Sequence, residues 1–258
     1  MTLAPEELKT CCATAYASAA ARFLLGNSFH PGGAALTARL IRALQVGASA
    51  TVVDVASGPG TSAIQLADET GCSVVGVDLS PQSIDAARRA AEAVGLGERV
   101  RFVEGDAEAL PFEAESMDGA LCECALCTFP DKRAATRELA RVLRPGTRLA
   151  LADVTARGER LPRELTGLQA WVACIADARP LEGIAALLWE AGLAIEIAER
   201  HDQALRDLLD RIDARLQLAG IARSFGEGVE RARELTASAR AAVAGGLLGY
   251  GVFVAAKR

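Results

Sequence analysis

The sequence contains no block of basic residues and no long apolar segment. Its 28 Lys and Arg residues are scattered among 33 Asp and Glu residues, and the formal net charge is -5. This balance argues against nucleic acid or an anionic membrane as the main partner. The longest apolar run, 241–254, is interrupted by glycine and is shorter than the roughly 20 residues of a membrane-spanning helix. We therefore expect a soluble protein with no nucleic-acid or membrane partner.

No secretory signal is visible either, because the N-terminal MTLAPEELKTCC has no basic segment followed by an apolar one. The sequence therefore predicts a cytoplasmic protein, in a reducing compartment where stable disulfides are rare. Histidine is scarce, with only His30 and His201 present, whereas the sequence contains 7 cysteines. In that compartment the cysteines are expected to be reactive, ligand-binding or simply buried thiols.

Short apolar runs alternate with helical patterns through the middle of the chain. This alternation indicates right-handed βαβ units and a parallel sheet covered by helices on both faces. The predicted fold class is α/β, with a Rossmann-like, doubly wound sheet. The predicted strands are 51–56, 73–78, 99–106, 117–124 and 148–154, and the helices between them are 61–69, 81–94 and 131–143.

Three segments are predicted along the chain. Residues 1–46 form an N-terminal helical cap, residues 47–155 form the core, and residues 156–258 contain an insertion, lid helices and the closing strands. No pattern is assigned to 155–180. Outside the core, the predicted helices are 5–25, 34–44, 181–191, 202–219 and 227–244, and the predicted strands are 193–199 and 247–256.

Acidic residues stand at the ends of three successive predicted strands. Asp54 begins the glycine-rich DVASGPG, while Asp78 and Asp106 end the second and third strands. In a doubly wound sheet ligands bind at the carboxyl ends of the strands, where Gly58 and Gly60 allow a tight turn and a close backbone approach. A dinucleotide fingerprint would need glycine at positions 56 and 61, which are alanine and threonine. A different nucleotide cofactor is therefore expected.

Four motifs follow one another along the chain: VVDVASGPGTSA, VVGVDLS, VRFVEGDAEALPF and ARVLRPGTRLALADV. Over residues 35–155 this order closely resembles the class I S-adenosylmethionine-dependent methyltransferases. The resemblance implies a seven-stranded sheet with an antiparallel last strand, and S-adenosylmethionine as the cofactor. Ala56 stands where that family usually has glycine.

The same resemblance implies a role for each strand end. Asp54 and the loop with Gly58 and Gly60 would hold the methionine portion. Asp78 would hold the ribose, and Asp106 with the residue after it would hold the adenine. The expected cofactor contacts are Asp54, Ala56, Gly58, Gly60, Asp78, Leu79, Asp106, Ala107 and Cys122.

Three cysteines lie close together in the sequence, at Cys122, Cys124 and Cys127. Because side chains alternate along a strand, Cys122 and Cys124 are predicted to point to the same side of the fourth strand, with Cys127 in the following turn. The spacing does not suit a zinc site, which would need two C-x-x-C pairs. Buried packing, a soft-ligand site and redox chemistry stay open for the three thiols.

The segments LKTCC, CECALCTFPDKRAATRELARVLRPG and VAC followed by PLEG resemble the arsenite S-adenosylmethionine methyltransferases. That resemblance implies that Cys127 and Cys174 bind trivalent arsenic as the substrate. It implies Cys12 as a third, N-terminal ligand, with Cys11 and Cys124 as further candidates. Soft arsenic prefers thiolate ligands, and its lone pair would attack the methyl group without a base. The implied partner is a glutathione-type or thioredoxin-type reductant.

Other functions stay open beside arsenic methylation. The acceptor could be a small organic molecule, with the cysteines partly structural, or another thiophilic element such as antimony, selenium, tellurium or mercury. A third hypothesis is a thiol-rich metal-binding protein without catalysis, against which the intact cofactor residues argue. His30, in the stretch SFHPGG, is a candidate for lining the acceptor pocket.

Overall fold

The computed structural model describes residues 3–26, 28–158, 161–221 and 227–258. The strands are β1 (Thr51–Val55), β2 (Ser73–Asp78), β3 (Val100–Glu104), β4 (Met117–Glu123), β5 (Leu143–Ala156), β6 (Leu193–Arg200) and β7 (Leu248–Lys257). The α-helices are α1 (Pro5–Ala17), α2 (Ala19–Leu25), α3 (Gly33–Leu44), α4 (Thr61–Thr70), α5 (Pro81–Ala93), α6 (Lys132–Val142), α7 (Leu168–Val172), α8 (Leu181–Glu190), α9 (Asp202–Ile221) and α10 (Glu227–Ala244).

The strands form a single sheet that confirms the predicted fold class. Across the described residues, the strand order is β3-β2-β1-β4-β5-β7-β6 in a 7-stranded sheet. Strands β1 to β5 pair in parallel, whereas β7 runs antiparallel to both β5 and β6. The strand order reverses between β1 and β4, and the carboxyl ends of strands beside such a switch are where doubly wound sheets bind ligands.

The two faces of the sheet bury separate hydrophobic cores. On β1, Val52 packs with Leu40 and Ile84 on the face covered by α3, α4 and α5. Val53 packs with Leu139 on the opposite face, which α6 and α8 cover. Because successive side chains of a strand point to opposite faces, a strand covered on both faces is apolar throughout. This double burial explains the continuous β-branched runs of the sequence.

The N-terminal segment differs from its prediction. The single helix expected over 5–25 is two helices, because Ser18 has an extended backbone (φ -72°, ψ 156°) between α1 and α2. The Ser18 hydroxyl accepts a hydrogen bond from the Ala21 N–H at 3.0 Å, so this serine caps the start of α2. A polar side chain that can satisfy a helix end is therefore what interrupts the alanine-rich stretch.

The insertion after β5 contains short helical pieces. A 3-10 turn spans Arg163–Leu165 and is followed by α7, within the region 155–180 that carried no assigned pattern. Two residues of that region, 159–160, lie outside the described residues, as does position 27 of the predicted turn before α3. In the part of the chain that the structure describes, no helix has the length and apolarity to cross a bilayer.

A buried carboxylate joins the loop after β4 to β5. Asp153 is fully buried, and its Oδ2 accepts a hydrogen bond from the Cys127 N–H at 3.0 Å. Its Oδ1 accepts from the Val154 N–H at 2.6 Å. Burial raises the pKa of Asp153 to about 7, with a further contribution from the charge of Cys174, although the two N–H groups oppose the shift.

Gly60 and Gly146 offer a matched pair of substitutions. Gly60, before α4, has a φ of 81°, and a Cβ there would lie 2.5 Å from Phe102 Cζ. Gly146 has a φ of 80°, and nothing lies within 4 Å of its Cβ position. We expect Gly60→Ala to lower the free energy of unfolding by about 1–3 kcal/mol more than Gly146→Ala, because only the first adds a clash to the backbone strain. Urea denaturation measures both, and equal losses would contradict the predicted clash.

Asp153 should make stability depend on pH. Since its folded-state pKa lies above the ordinary value, the native state binds more protons than the unfolded state between the two pKa values. The stabilisation is therefore present at low pH and is lost as the pH rises through 7. In the unchanged protein, ionisation of Asp153 should make the free energy of unfolding fall by up to about 1.4 kcal/mol per pH unit in this range. Asp153→Asn cannot ionise, so this contribution to the slope should be absent from the variant. The exposed Asp85→Asn is the control, and an unchanged slope in Asp153→Asn would refute the assignment.

Candidate active site

A cavity of about 130 Å³ lies at the carboxyl ends of β1, β2 and β4. Most of the residues predicted to contact the cofactor line it, and two do not. Gly60 lies behind the loop and packs toward Phe102, while Cys122 is fully buried in the core on the α6 face. The predicted residues that line the cavity are Asp54, Ala56, Gly58, Asp78, Leu79, Asp106 and Ala107.

Two buried polar atoms at this cavity have no hydrogen-bond partner within the described residues. They are Asp54 Oδ2 and Ser57 Oγ, and both residues line the cavity. Burial raises the pKa of the Asp54 carboxyl well above its usual range, and the negative charges of Glu123 and Asp78 raise it further. Buried polar atoms without partners are costly, so a ligand with hydrogen-bonding and cationic groups would be stabilised here.

Asp78 fixes the glycine loop against the end of β2. Its Oδ2 accepts from the Gly58 N–H at 2.8 Å, and its Oδ1 accepts from the Ser80 N–H at 2.8 Å. Burial raises the pKa of this carboxyl although both N–H groups oppose the shift. A Cβ placed on Gly58 would meet nothing within 4 Å, so the loop presents bare backbone to open space. These features fit S-adenosylmethionine, which carries an ammonium group, a sulfonium and ribose hydroxyls.

The third acidic strand end is bound by the N-terminal helix. Lys9 of α1 donates hydrogen bonds to Asp106 Oδ2 at 2.7 Å and to Glu6 Oε1 at 3.0 Å. It also forms an ion pair with Glu108 Oε2 at 2.7 Å. Burial disfavours the ammonium, but the hydrogen bonds to Asp106 and Glu108 outweigh it and raise the pKa of Lys9. Helix α1 therefore closes one side of the cavity, a contact that no local sequence signal reveals.

Cys122, in β4, and Cys124, just after it, do not point to the same side of the strand. Cys122 belongs to the core on the α6 face, whereas Cys124 packs against the core on the α3 face. The prediction of a common side is wrong because β4 ends at Glu123 and Cys124 has a left-handed φ of 54°. The strand alternation therefore stops one residue earlier than the prediction assumed.

The structure brings Cys124, Cys127 and Cys174 together around Tyr16. The Cys174 Sγ lies 3.2 Å from the Tyr16 hydroxyl and 3.2 Å from the Cys124 carbonyl oxygen. Hydrogen bonds from Cys124 and Cys127 lower the pKa of Cys174, with support from Tyr16 and the charge of Lys132. Burial and the negative charge on Cys174 in turn raise the pKa of the Cys127 thiol. The pKa of Cys174 is therefore lowered, whereas the pKa values of its neighbours Cys124 and Cys127 are raised.

The N-terminal cysteines lie at the edge of this cluster. Burial and the charges of Cys174 and Cys11 raise the pKa of Cys12 to about 12, so its thiol stays protonated at neutral pH. Cys12 lines the cavity at the strand ends, hereafter the cofactor cavity, whereas Cys11 does not. Among the residues described, no group of three or more His, Cys, Asp or Glu side chains is arranged to hold a metal ion.

A buried lysine ties the loop after β4 to the insertion. Lys132 Nζ donates to the carbonyl oxygens of Cys127 and Phe129, both at 3.0 Å, and to Asp177 Oδ2 at 2.6 Å. The ammonium also lies 5.5 Å from the ring centroid of Trp171. This buried cation therefore positions the residues that flank the cysteine cluster.

A second cavity, of about 590 Å³, adjoins the cofactor cavity. Tyr16, Phe29 and Cys124 line both cavities and so form the boundary between them. The rest of the wall is mostly apolar and comes from α1, α2, α7, α9 and α10. It includes Leu24, Leu25, Val172, Leu205, Leu208, Leu209 and Leu235.

His30 lies in the wall of the cofactor cavity, beside Glu123 and Ser62. His30 Nδ1 is 3.2 Å from the Pro31 carbonyl oxygen and 3.5 Å from Glu123 Oε1. The carboxylate of Glu123 also accepts hydrogen bonds from Ser62 Oγ at 2.6 Å and from Thr37 Oγ1 at 3.1 Å. Three elements of the fold therefore converge on the carboxylate that faces this histidine.

Comparison with known proteins identifies a methyltransferase domain in the chain. Residues 52–146 match the model of a methyltransferase domain. Methyltransferase GfsG of Streptomyces halstedii is 37% identical over 175 residues, which are 66% of this chain and 63% of that protein. An arsenite methyltransferase of Halobacterium salinarum is 34% identical over 161 residues, which are 59% of this chain and 39% of that protein. The chain thus spans less than two thirds of the length of these curated relatives.

Solved structures agree on the fold. The [4+2]-cyclase SpnF superposes with a TM-score of 0.81 and 23% identity, over 99% of this chain and 97% of that one. SpnF is named as a cyclase and is only 23% identical, so this likeness shows the fold and not a reaction. The methyltransferase-domain match, the strand order and the acidic strand ends around the glycine loop agree with one another. The chain contains a methyltransferase domain over residues 52–146, within the seven-stranded fold of the class I S-adenosylmethionine-dependent methyltransferases.

Proposed function

We propose that this protein transfers a methyl group to an organic acceptor whose apolar body occupies the second cavity. The single observation that carries this proposal is that the second cavity shares Tyr16, Phe29 and Cys124 with the cofactor cavity. A molecule that fills the second cavity therefore has one end at the cofactor cavity. When bound, S-adenosylmethionine supplies that methyl group as an electrophile.

The chemistry of the wall defines the acceptor class. Leucine, valine and alanine side chains dominate it, and burial of apolar area contributes about 25 cal/mol per Å² to binding before entropic costs. A volume of about 590 Å³ is in the range of pockets that hold drug-sized molecules. Arsenite is far smaller and polar, so it would leave most of this wall without contacts.

The residues of the chain would orient both ligands. Asp54 and Ser57 have free polar atoms for the methionine end, and Asp78 holds the loop that borders it. Tyr16 and Phe29 lie at the junction, with ring centroids 6.3 Å apart, and would align the acceptor by contact with their faces. Such alignment removes the orientational cost of the reaction, which is worth about 7–11 kcal/mol in favourable cases.

Narrowing the second cavity should separate acceptor binding from cofactor binding. Ala15 of α1 lines this cavity, whereas Ala19, at the start of α2, is exposed and lines neither cavity. We expect Ala15→Phe to weaken binding of 4-octylphenol at least about tenfold, because the new ring occupies volume that the alkyl chain needs. The affinity for S-adenosylhomocysteine should change less than about twofold, and calorimetry measures both.

Ala19→Phe is the control and should bind both ligands as the unchanged protein does. A series of 4-alkylphenols from methyl to octyl, tested for methyl ether formation, extends the measurement to turnover. If no member of the series binds to the protein saturated with S-adenosylhomocysteine, the apolar acceptor site is refuted.

Trivalent arsenic is the second candidate acceptor, and the cysteine cluster is the observation that favours it. The Cys174 Sγ lies 3.2 Å from the Cys124 carbonyl oxygen, and hydrogen bonding lowers the pKa of Cys174. Soft arsenic prefers thiolate ligands. The arsenite methyltransferase among the relatives supports this candidate. Against it, burial raises the pKa of Cys12 and Cys127, and thiols must ionise before they bind the metalloid.

Arsenite methylation can be tested directly. Protein, S-adenosylmethionine, glutathione and arsenite are incubated, and methylarsenic is quantified by chromatography with elemental detection. If arsenic is the acceptor, Cys127→Ser and Cys174→Ser should each lower product formation at least about 100-fold while cofactor affinity is retained. Cys72→Ala, in the core beside α4, is the control with unchanged turnover. Absence of methylarsenic from the unchanged protein would exclude this candidate.

A further inference from the structure

We propose that the acceptor carries an acidic group, such as a carboxylate, which Arg231 binds where the second cavity meets solvent. The inference rests on the proposed function and deepens it, because it adds a second recognised group to the apolar body of the acceptor. Among the described residues that line the second cavity, Arg231 is the only Lys, Arg, Asp or Glu. The otherwise uncharged wall therefore has a single fixed charge, and that charge is positive.

The guanidinium of Arg231 is free to bind a ligand. Arg231 lies on α10, is exposed, and forms no hydrogen bond or ion pair with any residue that the structure describes. Arg233, on the same helix, instead pairs with Glu230 at 2.9 Å and donates to the Leu216 carbonyl oxygen at 3.2 Å. The neighbouring carboxylate is thus bound by Arg233, and Arg231 keeps all of its donors.

Gln169, on α7, is a second polar group at this position. Gln169 and Arg231 both line the second cavity and a third cavity of about 790 Å³, so they lie where these two cavities meet. A planar guanidinium binds both oxygens of a carboxylate, and an amide N–H group can add a further hydrogen bond. Thr236 also lines the second cavity, but its hydroxyl already donates to the Ala232 carbonyl oxygen at 2.7 Å.

The acidic residues near this opening belong to the third cavity and not to the second. Glu164 and Glu234 line the third cavity together with Arg163. Within the described part of the chain, neither glutamate forms an ion pair with Arg231. A ligand carboxylate that reaches Arg231 from the second cavity therefore does not have to displace a carboxylate of the protein.

The charges of the two cavities determine the direction in which such an acceptor binds. The cofactor cavity is lined by Asp54, Asp78, Asp106 and Glu123. Lys9 is the only Lys or Arg among its described lining residues, and Lys9 is bound to Asp106. An acidic group at the cofactor end would be repelled by this lining, whereas Arg231 attracts it. The acidic group of the acceptor therefore points away from the cofactor, and the opposite end of the molecule points toward it.

The size of the effect follows from the exposure of Arg231. A purely apolar molecule that extends to Arg231 removes water from the guanidinium and gives it no partner in return, which costs free energy. An acidic group supplies that partner through charge-assisted hydrogen bonds. Because Arg231 stays partly in water, the expected gain in affinity is moderate, about five- to tenfold.

Calorimetry with two probes of equal chain length tests the acid-binding site without any methyl transfer. Decanoate and decanol are titrated separately into protein saturated with S-adenosylhomocysteine, and only decanoate carries a charge. We expect Arg231→Gln to weaken decanoate binding at least about fivefold and decanol binding less than about twofold. Added salt should weaken decanoate binding to the unchanged protein more than to the variant, because salt screens an exposed ion pair.

Arg163→Gln is the matched control, because Arg163 is also an exposed arginine but lines the third cavity and not the second. It should leave the affinities for both probes unchanged, and all variants should retain their affinity for S-adenosylhomocysteine. Arg231→Lys keeps the positive charge and should recover part of the decanoate affinity. Equal losses for the two probes, an equal loss in Arg163→Gln, or no binding of decanoate to the unchanged protein would each overturn the proposal.

The outcome for this site can be separated from the outcome for the proposed function. If 4-octylphenol is bound and methylated but decanoate binding does not depend on Arg231, the acid-binding site fails and the apolar acceptor site stands. If decanoate binding depends on Arg231 but no 4-alkylphenol is methylated, the acid-binding site stands and methyl transfer to such phenols fails.

Discussion

The burial of several carboxyl groups at one edge of the sheet is the constraint on which the rest of the site depends. Asp54, Asp78, Glu123 and Asp153 lie at or near the carboxyl ends of four adjacent parallel strands. Burial raises the pKa of the three aspartates among them. Hydrogen bonds from backbone N–H groups of the loops and from hydroxyls of α3 and α4 offset part of the cost of burying these carboxyl groups. A cationic cofactor would offset the rest of this cost, since Asp54 Oδ2 has no hydrogen-bond partner among the described residues.

The strands were predictable because strands covered on both faces must be apolar throughout, as in TVVDV and SVVGVD. Asp54 and Asp78 were predictable for the related reason that a polar residue ending such a run has to face the ligand edge. Other features depend on backbone dihedrals or distant contacts. The left-handed φ of Cys124 reversed its direction, and the break at Ser18 depends on a single capping hydroxyl. No local sequence pattern predicts the left-handed backbone of Cys124 or the helix break at Ser18.

The second cavity shows why function was harder to predict than fold. Its wall combines α1 and α2 with α9 and α10, which lie far apart in sequence. The hydrogen bond from Arg215 to the Leu24 carbonyl oxygen, for example, joins residues 191 positions apart. Periodicity identifies the apolar face of each helix but not the space enclosed between them. The cysteines drew attention to arsenic because they are close in sequence. In the structure, Cys122 lies in the core on the α6 face, away from the other cysteines, and the Tyr16 hydroxyl contacts Cys174 Sγ.

The ion pair of Lys9 attaches the first helix to the wall of the cofactor cavity. Asp106 Oδ2 is bound by Lys9, and Asp106 Oδ1 accepts from the Glu108 N–H at 2.8 Å, so both carboxylate oxygens are engaged. A ligand amine that approaches Asp106 competes with Lys9 for the carboxylate. Binding of such an amine and attachment of α1 through Lys9 are therefore coupled. Covalent attachment gives the lysine a high effective concentration, and dissolved salt weakens its hold. Helix α1 thus carries the counter-ion of Asp106, so a group that binds this carboxylate oxygen must displace Lys9.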